Sequence, residues 1–259
     1  LIPQNIVGAA AQGNVLQILF VSVLIGLAIS ALPEGSRNLL VELATATAHV
    51  MFKLVGWILE LTPFGVFGIM AAVVGRSGLS VLWVLGYYVV VVAGVLVLQV
   101  FLIYGFVLRT IARQSVLRFT RAIRSPLLIA FATCSASSAL PVSLSVMQTG
   151  MGLSNRIASF VVPLGAAMGS DGSAIYQALS VLFIAQVYGR SLTGSELVTL
   201  LVATMLSSLA VASVPGASFI NLTILLSALG LPIEGAALVF GVERPLDMLR
   251  TSTNILGQL

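Results

Sequence analysis

Near the end of the chain two acids, one base, two amides and a hydroxyl recur on one helical face: Glu243, Asp247, Arg250, Thr251, Asn254 and Gln258. On a helix turning ~100° per residue they fall within an arc of about 100°. A guanidinium meets a carboxylate in a planar, two-pronged pair, a lone aspartate suits an ammonium, and amides and hydroxyls add neutral hydrogen bonds. The stripe has the chemistry to hold a small charged solute or an ion. Its bland alternative is an internal pair, Asp247 with Arg250 at i and i+3, neutralised without any ligand.

The surroundings make these charges costly. The 259-residue sequence is 59% hydrophobic and 8% charged, where soluble domains carry roughly 25% charged residues. That composition predicts a polytopic membrane protein, and its apolar runs of span length make the expected fold all-α. Carrying Asp or Arg to mid-bilayer costs roughly 2.5–3.5 kcal/mol each, so such groups face a bundle interior or a ligand. The single cysteine, Cys134, excludes an internal disulfide and a cysteine-based metal cluster. His49, with no second histidine, reads as an interfacial helix residue. Arg109, Arg113, Arg118, Arg121 and Arg124 crowd one short connection. The positive-inside rule puts that connection in the cytoplasm, and its apolar flanks without interleaved aromatics argue against nucleic acid. No charged leader precedes the first apolar segment, and both ends, Leu1 and Leu259, read as cuts in a longer protein.

The elements that must position the stripe follow from the apolar runs. Residues 14–31 are an uncharged segment of span length, closed by Pro33-Glu34-Gly35. A second helix is expected over 42–74, carrying Lys53 and Glu60 and interrupted by Pro63 and Gly65. Residues 77–108 carry no charge and predict a long span, with Trp83, Tyr87 and Tyr88 as an interfacial belt. Residues 125–147 are also uncharged, but Ser135, Ser137, Ser138 and Pro141 divide them into arms too short to span. A hairpin that enters and returns on the cytoplasmic side fits, its tip backbone tolerable beside a cavity; a kinked, serine-rich helix is the alternative. Residues 157–187 predict a span broken at Gly169-Ser170-Asp171-Gly172-Ser173, where freed carbonyls and Asp171 could hold a cation. Residues 197–233 repeat the hairpin pattern, and 235–259 form the striped final span. Hairpin plus interrupted span thus occurs twice with opposite topology, the inverted repeat that surrounds a central solute site.

Taken together these segments resemble the dicarboxylate/amino acid:cation symporter family, which includes bacterial and archaeal glutamate/aspartate transporters and the mammalian excitatory amino acid transporters. The resemblance spans nearly the whole chain. It rests on residues 135–141, on residues 169–173 continuing as Ala174-Ile175-Tyr176-Gln177, on Val214-Pro215-Gly216-Ala217-Ser218, and on Asp247, Arg250, Thr251 and Asn254 in their spacing. It implies a glutamate-transporter-like fold and a homotrimer, with 1–76 in a partial scaffold that lacks the first three spans and 77–259 in a transport domain that carries substrate as an elevator. It further implies secondary active symport of aspartate or glutamate across the inner membrane, coupled to sodium or protons, with no enzyme chemistry and no cofactor.

Position by position, the resemblance implies Arg250 on the substrate's side-chain carboxylate, Asp247 on its ammonium and Asn254 on its α-carboxylate, with Thr251 beside them. Ser173 would reach toward the substrate by its hydroxyl, and Ser135, Ala136, Val214 and Ser218 would add hydrogen bonds from the two hairpin tips. The implied cation positions are Gly165, Gly169, Asp171, Ser208, Leu209, Val211, Asn254 and Gln258. The sequence departs from the family there: Asn and Met of Asn-Met-Asp-Gly-Thr are Gly169 and Ser170, and an aspartate expected near the end of the last span is Gln258. Losing a carboxylate lowers the charge available to a hard cation. Fewer sodium ions, or protons in their place, are therefore expected, with Glu243, Asp171 and Asp247 as candidate proton carriers. Asp247 together with Arg250 favours an acidic amino acid. A C4-dicarboxylate, a neutral amino acid and a binding or leak homologue that does not translocate are the alternatives; an intramembrane hydrolase would need a base near the first-tip serines.

Overall fold

A computed structural model of the chain describes residues 5–11, 15–210 and 216–259. The regular elements among the described residues are all helical, with no strand. The chain divides into two compact units, Leu1–Phe67 and Gly68–Leu259. In the first lie α1 (Ile6–Ala11), α2 (Val15–Ser30) and α3 (Glu34–Glu60). The next helix, α4 (Thr62–Ser77), runs across the boundary. The single helix expected over 42–74 is thus two. Pro63, which cannot supply an N–H to the turn before it, sits in the first turn of α4, where that N–H has no helical partner to lose.

After α4 the second unit continues with α5 (Ser80–Gln99), a π-helical turn at Val100–Tyr104 and α6 (Gly105–Thr110). Together they make one helix, Ser80–Thr110, of 31 residues, whose most apolar 18-residue stretch has a mean hydropathy of 2.6. At 1.5 Å per residue it reaches ~46 Å, enough to cross a hydrocarbon core of ~30 Å. The other apolar helices among the described residues, such as Gly194–Ser208 and Ser218–Ala228, are shorter. The arginine-rich connection contains α7 (Val116–Ala122) and leads into α8 (Arg124–Thr133).

α8 ends at Cys134, whose φ of 53° turns the chain left-handed, and Ser135 caps α9 (Ala136–Ser145) by accepting from the Ser138 N–H at 3.3 Å. Capping satisfies one of the N–H groups that a helix start leaves open. The two ten-residue arms pack on each other. A π turn at Val146–Gly150 follows, then α10 (Asn155–Met168) and α11 (Asp171–Val187), separated by Gly169 and Ser170. Next come α12 (Gly194–Ala210) and α13 (Ala217–Ala228), which pack together and onto α11. The last segment, expected as one helix over 235–259, is α14 (Ala236–Phe240) and α15 (Glu243–Gln258), parted at Gly241 and Val242.

α15 is the hub. It packs against α8, α9, α10, α11 and α5. Its Leu246 joins an apolar core with Val92 and Leu96 of α5, Ile184 of α11, and Leu222 and Leu226 of α13. Its Ile255 joins a second cluster with Ala130, Ala136 and Ala139 of α8 and α9. Burying a leucine or isoleucine contributes about 1.5–3 kcal/mol, so two apolar faces fix α15 and thereby fix the rotation of its polar stripe.

Candidate functional site

All six stripe residues, Glu243, Asp247, Arg250, Thr251, Asn254 and Gln258, are buried. Three glycines let α15 come close enough to bury them. A Cβ on Gly172 would stand 2.6 Å from the Arg250 carbonyl oxygen, one on Gly165 would stand 2.7 Å from that of Gln258, and one on Gly169 would stand 2.8 Å from the Gln258 Cγ. The approach brings two amides to the helix break. The Asn254 Oδ1 accepts from the Gly172 N–H at 2.8 Å, at the open start of α11, and its Nδ2 donates to the Ser173 Oγ at 3.2 Å. The Gln258 Nε2 donates to the Gly169 carbonyl at 2.6 Å, at the open end of α10. One turn of α15 therefore caps both ends of the break, whose N–H and C=O groups have no helical partners.

At the other end of the stripe the charges meet. The Arg250 Nη2 lies 2.8 Å from the Glu243 Oε1 and 3.1 Å from the Asp247 Oδ1, and the guanidinium is 2% exposed. Its carbon stands 4.4 Å from the centroid of the Tyr176 ring, a cation–π contact strengthened by desolvation. The Tyr176 hydroxyl donates to the Glu243 Oε2, and the Thr251 hydroxyl donates to the Asp247 Oδ1 at 3.1 Å. The Arg250 Nη1 is buried and has no hydrogen-bond partner among the described residues. Two carboxylates thus share one guanidinium, leaving one donor edge open and one negative charge in excess.

Both breaks between short helices bear on the stripe. The Gly216 N–H, at the start of α13, donates to the Asp247 Oδ2 at 3.2 Å. Gly216 has a φ of 79°, which an L side chain rarely adopts. Ser218, one residue into α13, is buried, as are Ser135 and Ala136 at the other break; Ala136 packs in the cluster that holds Ile255. Val211 and Val214 lie outside the described residues. Ser208 is buried, with its hydroxyl bonded to the Met205 carbonyl of its own helix, and Leu209 lies in the last turn of α12. Asp171 is exposed, and its Oδ2 accepts from the Tyr104 hydroxyl at 2.9 Å.

A profile of the sodium:dicarboxylate symporter family matches residues 1–259. The chain belongs to that family. It is 38% identical over 257 residues to the proton/glutamate-aspartate symporter of Escherichia coli K12, covering 99% of this chain and 58% of that protein. It is 35% identical to the proton/sodium-glutamate symport protein of Geobacillus stearothermophilus, over 99% of this chain and 60% of that one. It is 37% identical to the C4-dicarboxylate transport protein of Anaeromyxobacter sp. strain K, over 99% and 58%. The chain thus spans about 60% of the length of these relatives. Membership in a symporter family makes this a membrane protein and a transporter homologue rather than a member of an enzyme family.

Three parts of the site were missed in the sequence of this symporter homologue. Tyr176 was one letter of a motif, with nothing to say that its ring lies under Arg250. Tyr104 sits in a run with no polar neighbours to set a phase, and its reach to Asp171 follows a π turn that composition does not encode. Tyr88, expected in the interfacial belt with Trp83 and Tyr87, is instead buried in the core, where its hydroxyl lies 2.6 Å from that of Ser180, and the Ser180 hydroxyl donates to the Tyr176 carbonyl at 2.6 Å. Repeated polar residues at helical spacing on α11 could have flagged Ser173, Tyr176, Gln177 and Ser180 as a second stripe.

Proposed function

We propose that the chain is the substrate-binding portion of a secondary symporter for acidic amino acids, aspartate or glutamate, driven by a cation gradient. The observation that carries this is the buried set of Arg250, Glu243 and Asp247. One donor edge of the guanidinium, Nη1, has no partner among the described residues, and two acids outnumber one base. A substrate carboxylate supplies what the open edge lacks. An ammonium on the same molecule balances the excess negative charge. An acidic amino acid brings both groups; succinate brings none of the second kind.

In this reading Arg250 holds the side-chain carboxylate, Asp247 the ammonium and Asn254 the α-carboxylate, with Thr251, Ser173 and the backbone at Ser135, Ala136, Val214 and Ser218 completing the shell. Support comes from the Gly216 N–H on Asp247 and from Ser173 on Asn254, which bring the second break and α11 to the stripe. The short paired helices α8/α9 and α12/α13 are re-entrant hairpins, residues 77–259 form the moving transport domain, and residues 1–76 belong to a trimeric scaffold in the inner membrane, which the mobile part crosses as an elevator. Glu243, held by Arg250 and the Tyr176 hydroxyl, is the carboxylate best situated to carry a proton with the substrate.

C4-dicarboxylate symport is the second reading, favoured by the likeness to a protein named for that substrate. Displacement of bound radiolabelled aspartate from the purified full-length protein separates the two. Glutamate should compete strongly, and succinate and serine weakly. Succinate competing as well as aspartate would transfer the assignment to C4-dicarboxylates.

A further inference from the structure

The break between α10 and α11 offers oxygen atoms of the kind a hard cation takes: the Gly169 carbonyl, the Gly165 carbonyl and the Asp171 carboxylate. Each accepts at least one hydrogen bond from the chain itself, while the Gln258 Oε1, turned away from the Gly169 carbonyl, is buried without a hydrogen-bond partner among the described residues. The Gly165 carbonyl accepts from the Gly169 N–H at 2.7 Å, the Gly169 carbonyl accepts from the Gln258 Nε2 at 2.6 Å, and the Asp171 Oδ2 accepts from the Tyr104 hydroxyl at 2.9 Å. We propose that Gln258 stands in for a cation at this break, its amide N–H supplying the positive end that the Gly169 carbonyl would otherwise take from a sodium ion.

The side chain is held to this duty by shape. Its Cγ fills the space a Gly169 Cβ would need, at 2.8 Å, and the Gln258 backbone is pressed against Gly165, where a Cβ would stand 2.7 Å from its carbonyl oxygen. Gln258 is 7% exposed, so water does not compete freely for either group. An N–H aimed along the lone pair of a carbonyl occupies the direction a metal ion would approach, and its partial positive charge repels one. Turned over, the amide would face the carbonyl oxygen to oxygen at about the same distance, tolerable only with a cation between them. Asp171 is the one carboxylate among these groups, and its Oδ2 already accepts from Tyr104. With the amide N–H on the Gly169 carbonyl, that carbonyl does not fit sodium, and the chain closes the gap between two helix ends with a neutral amide.

The consequence for coupling rests on the carrier reading above: at this position the sodium gradient has nothing to act on. The test does not rest on transport. Thermal unfolding of the purified full-length protein in detergent is measured in sodium chloride and in choline chloride at equal ionic strength, for the parent, Gln258→Met and Gln258→Glu. Met fills the same space without a donor, and Glu sets a carboxylate oxygen where the N–H now points. The parent is expected to show the same sodium response as Gln258→Met, with the Met protein less stable in both salts. Gln258→Glu is expected to lose several degrees in choline and to regain them in sodium, because a ligand that binds only the folded state stabilises it. A sodium stabilisation of the parent that Gln258→Met removes would show that the amide oxygen binds the ion, and the proposal would fall. It would fall equally if Gln258→Glu responded to sodium no more than the parent does.

Discussion

The Tyr176 ring lies under the Arg250 guanidinium, 4.4 Å from centroid to carbon, while its hydroxyl donates to Glu243, the acid that pairs with the same arginine. One aromatic side chain thus fixes both members of a buried ion pair. Tyr176→Phe keeps the ring and removes the donor to a charged acceptor, a loss of about 1.5–3 kcal/mol. Tyr176→Leu also removes the cation–π contact, a further loss of about 0.5–2 kcal/mol. Unfolding midpoints should fall in the order parent, Phe, Leu, and aspartate affinity, read by calorimetry, should follow the same order.

Arg250 is shared by two buried carboxylates. Arg250→Met leaves both without their base, and breaking a buried pair from one side costs about 3–5 kcal/mol. Adding Glu243→Gln and Asp247→Asn to that variant removes the orphaned charges, so stability should recover in large part while aspartate binding stays lost. Measuring unfolding and binding on the single and triple variants separates the two roles; a triple variant that regained binding would take Arg250 out of the site.

Asp247→Asn keeps the shape and removes the partner assigned to the ammonium. Aspartate affinity should drop by at least about tenfold, the equivalent of ~1.4 kcal/mol, while succinate affinity holds or rises. Competition binding with both ligands reads the ratio directly. An equal drop for both would mean that Asp247 acts by positioning Arg250 alone.

Gly172 meets the backbone of α15, with the Arg250 carbonyl 2.6 Å from where a Cβ would stand. A backbone oxygen cannot rotate away, so Gly172→Ala must separate α11 from α15. Overpacking of this kind costs about 1–3 kcal/mol. The variant should unfold earlier and bind aspartate more weakly, because the same shift pulls the Gly172 N–H off Asn254.

The stripe could be read in the sequence because charge stands out in an apolar chain, and its period of 3.6 named the face that the structure buries. The breaks at Ser135, Gly169 and Gly216 were legible from serine, proline and glycine. The break at Gly241 and Val242 carried marks too, Gly241 and Pro245 four residues on, whose ring blocks a helical bond to the Gly241 carbonyl, yet one helix was expected across 235–259. The earlier split between α3 and α4 was foreshadowed by Pro63, yet one helix was expected because apolar periodicity runs through it. What a residue touches across the fold is the part that composition conceals: Gln258 on Gly169, Tyr104 on Asp171, Tyr176 under Arg250. Each depends on two helices meeting at a distance set by glycines or by a π turn, and no local pattern carries that distance.

The central claim is that the buried base and acids of α15 hold a small acidic zwitterion during its passage across the bilayer. Uptake of radiolabelled aspartate into proteoliposomes bearing the full-length protein, under an imposed proton gradient and separately a sodium gradient, tests it most directly, with Arg250→Ala as the comparison. The account predicts accumulation under at least one gradient and none for Arg250→Ala; no accumulation under either gradient, or equal uptake by Arg250→Ala, would contradict it.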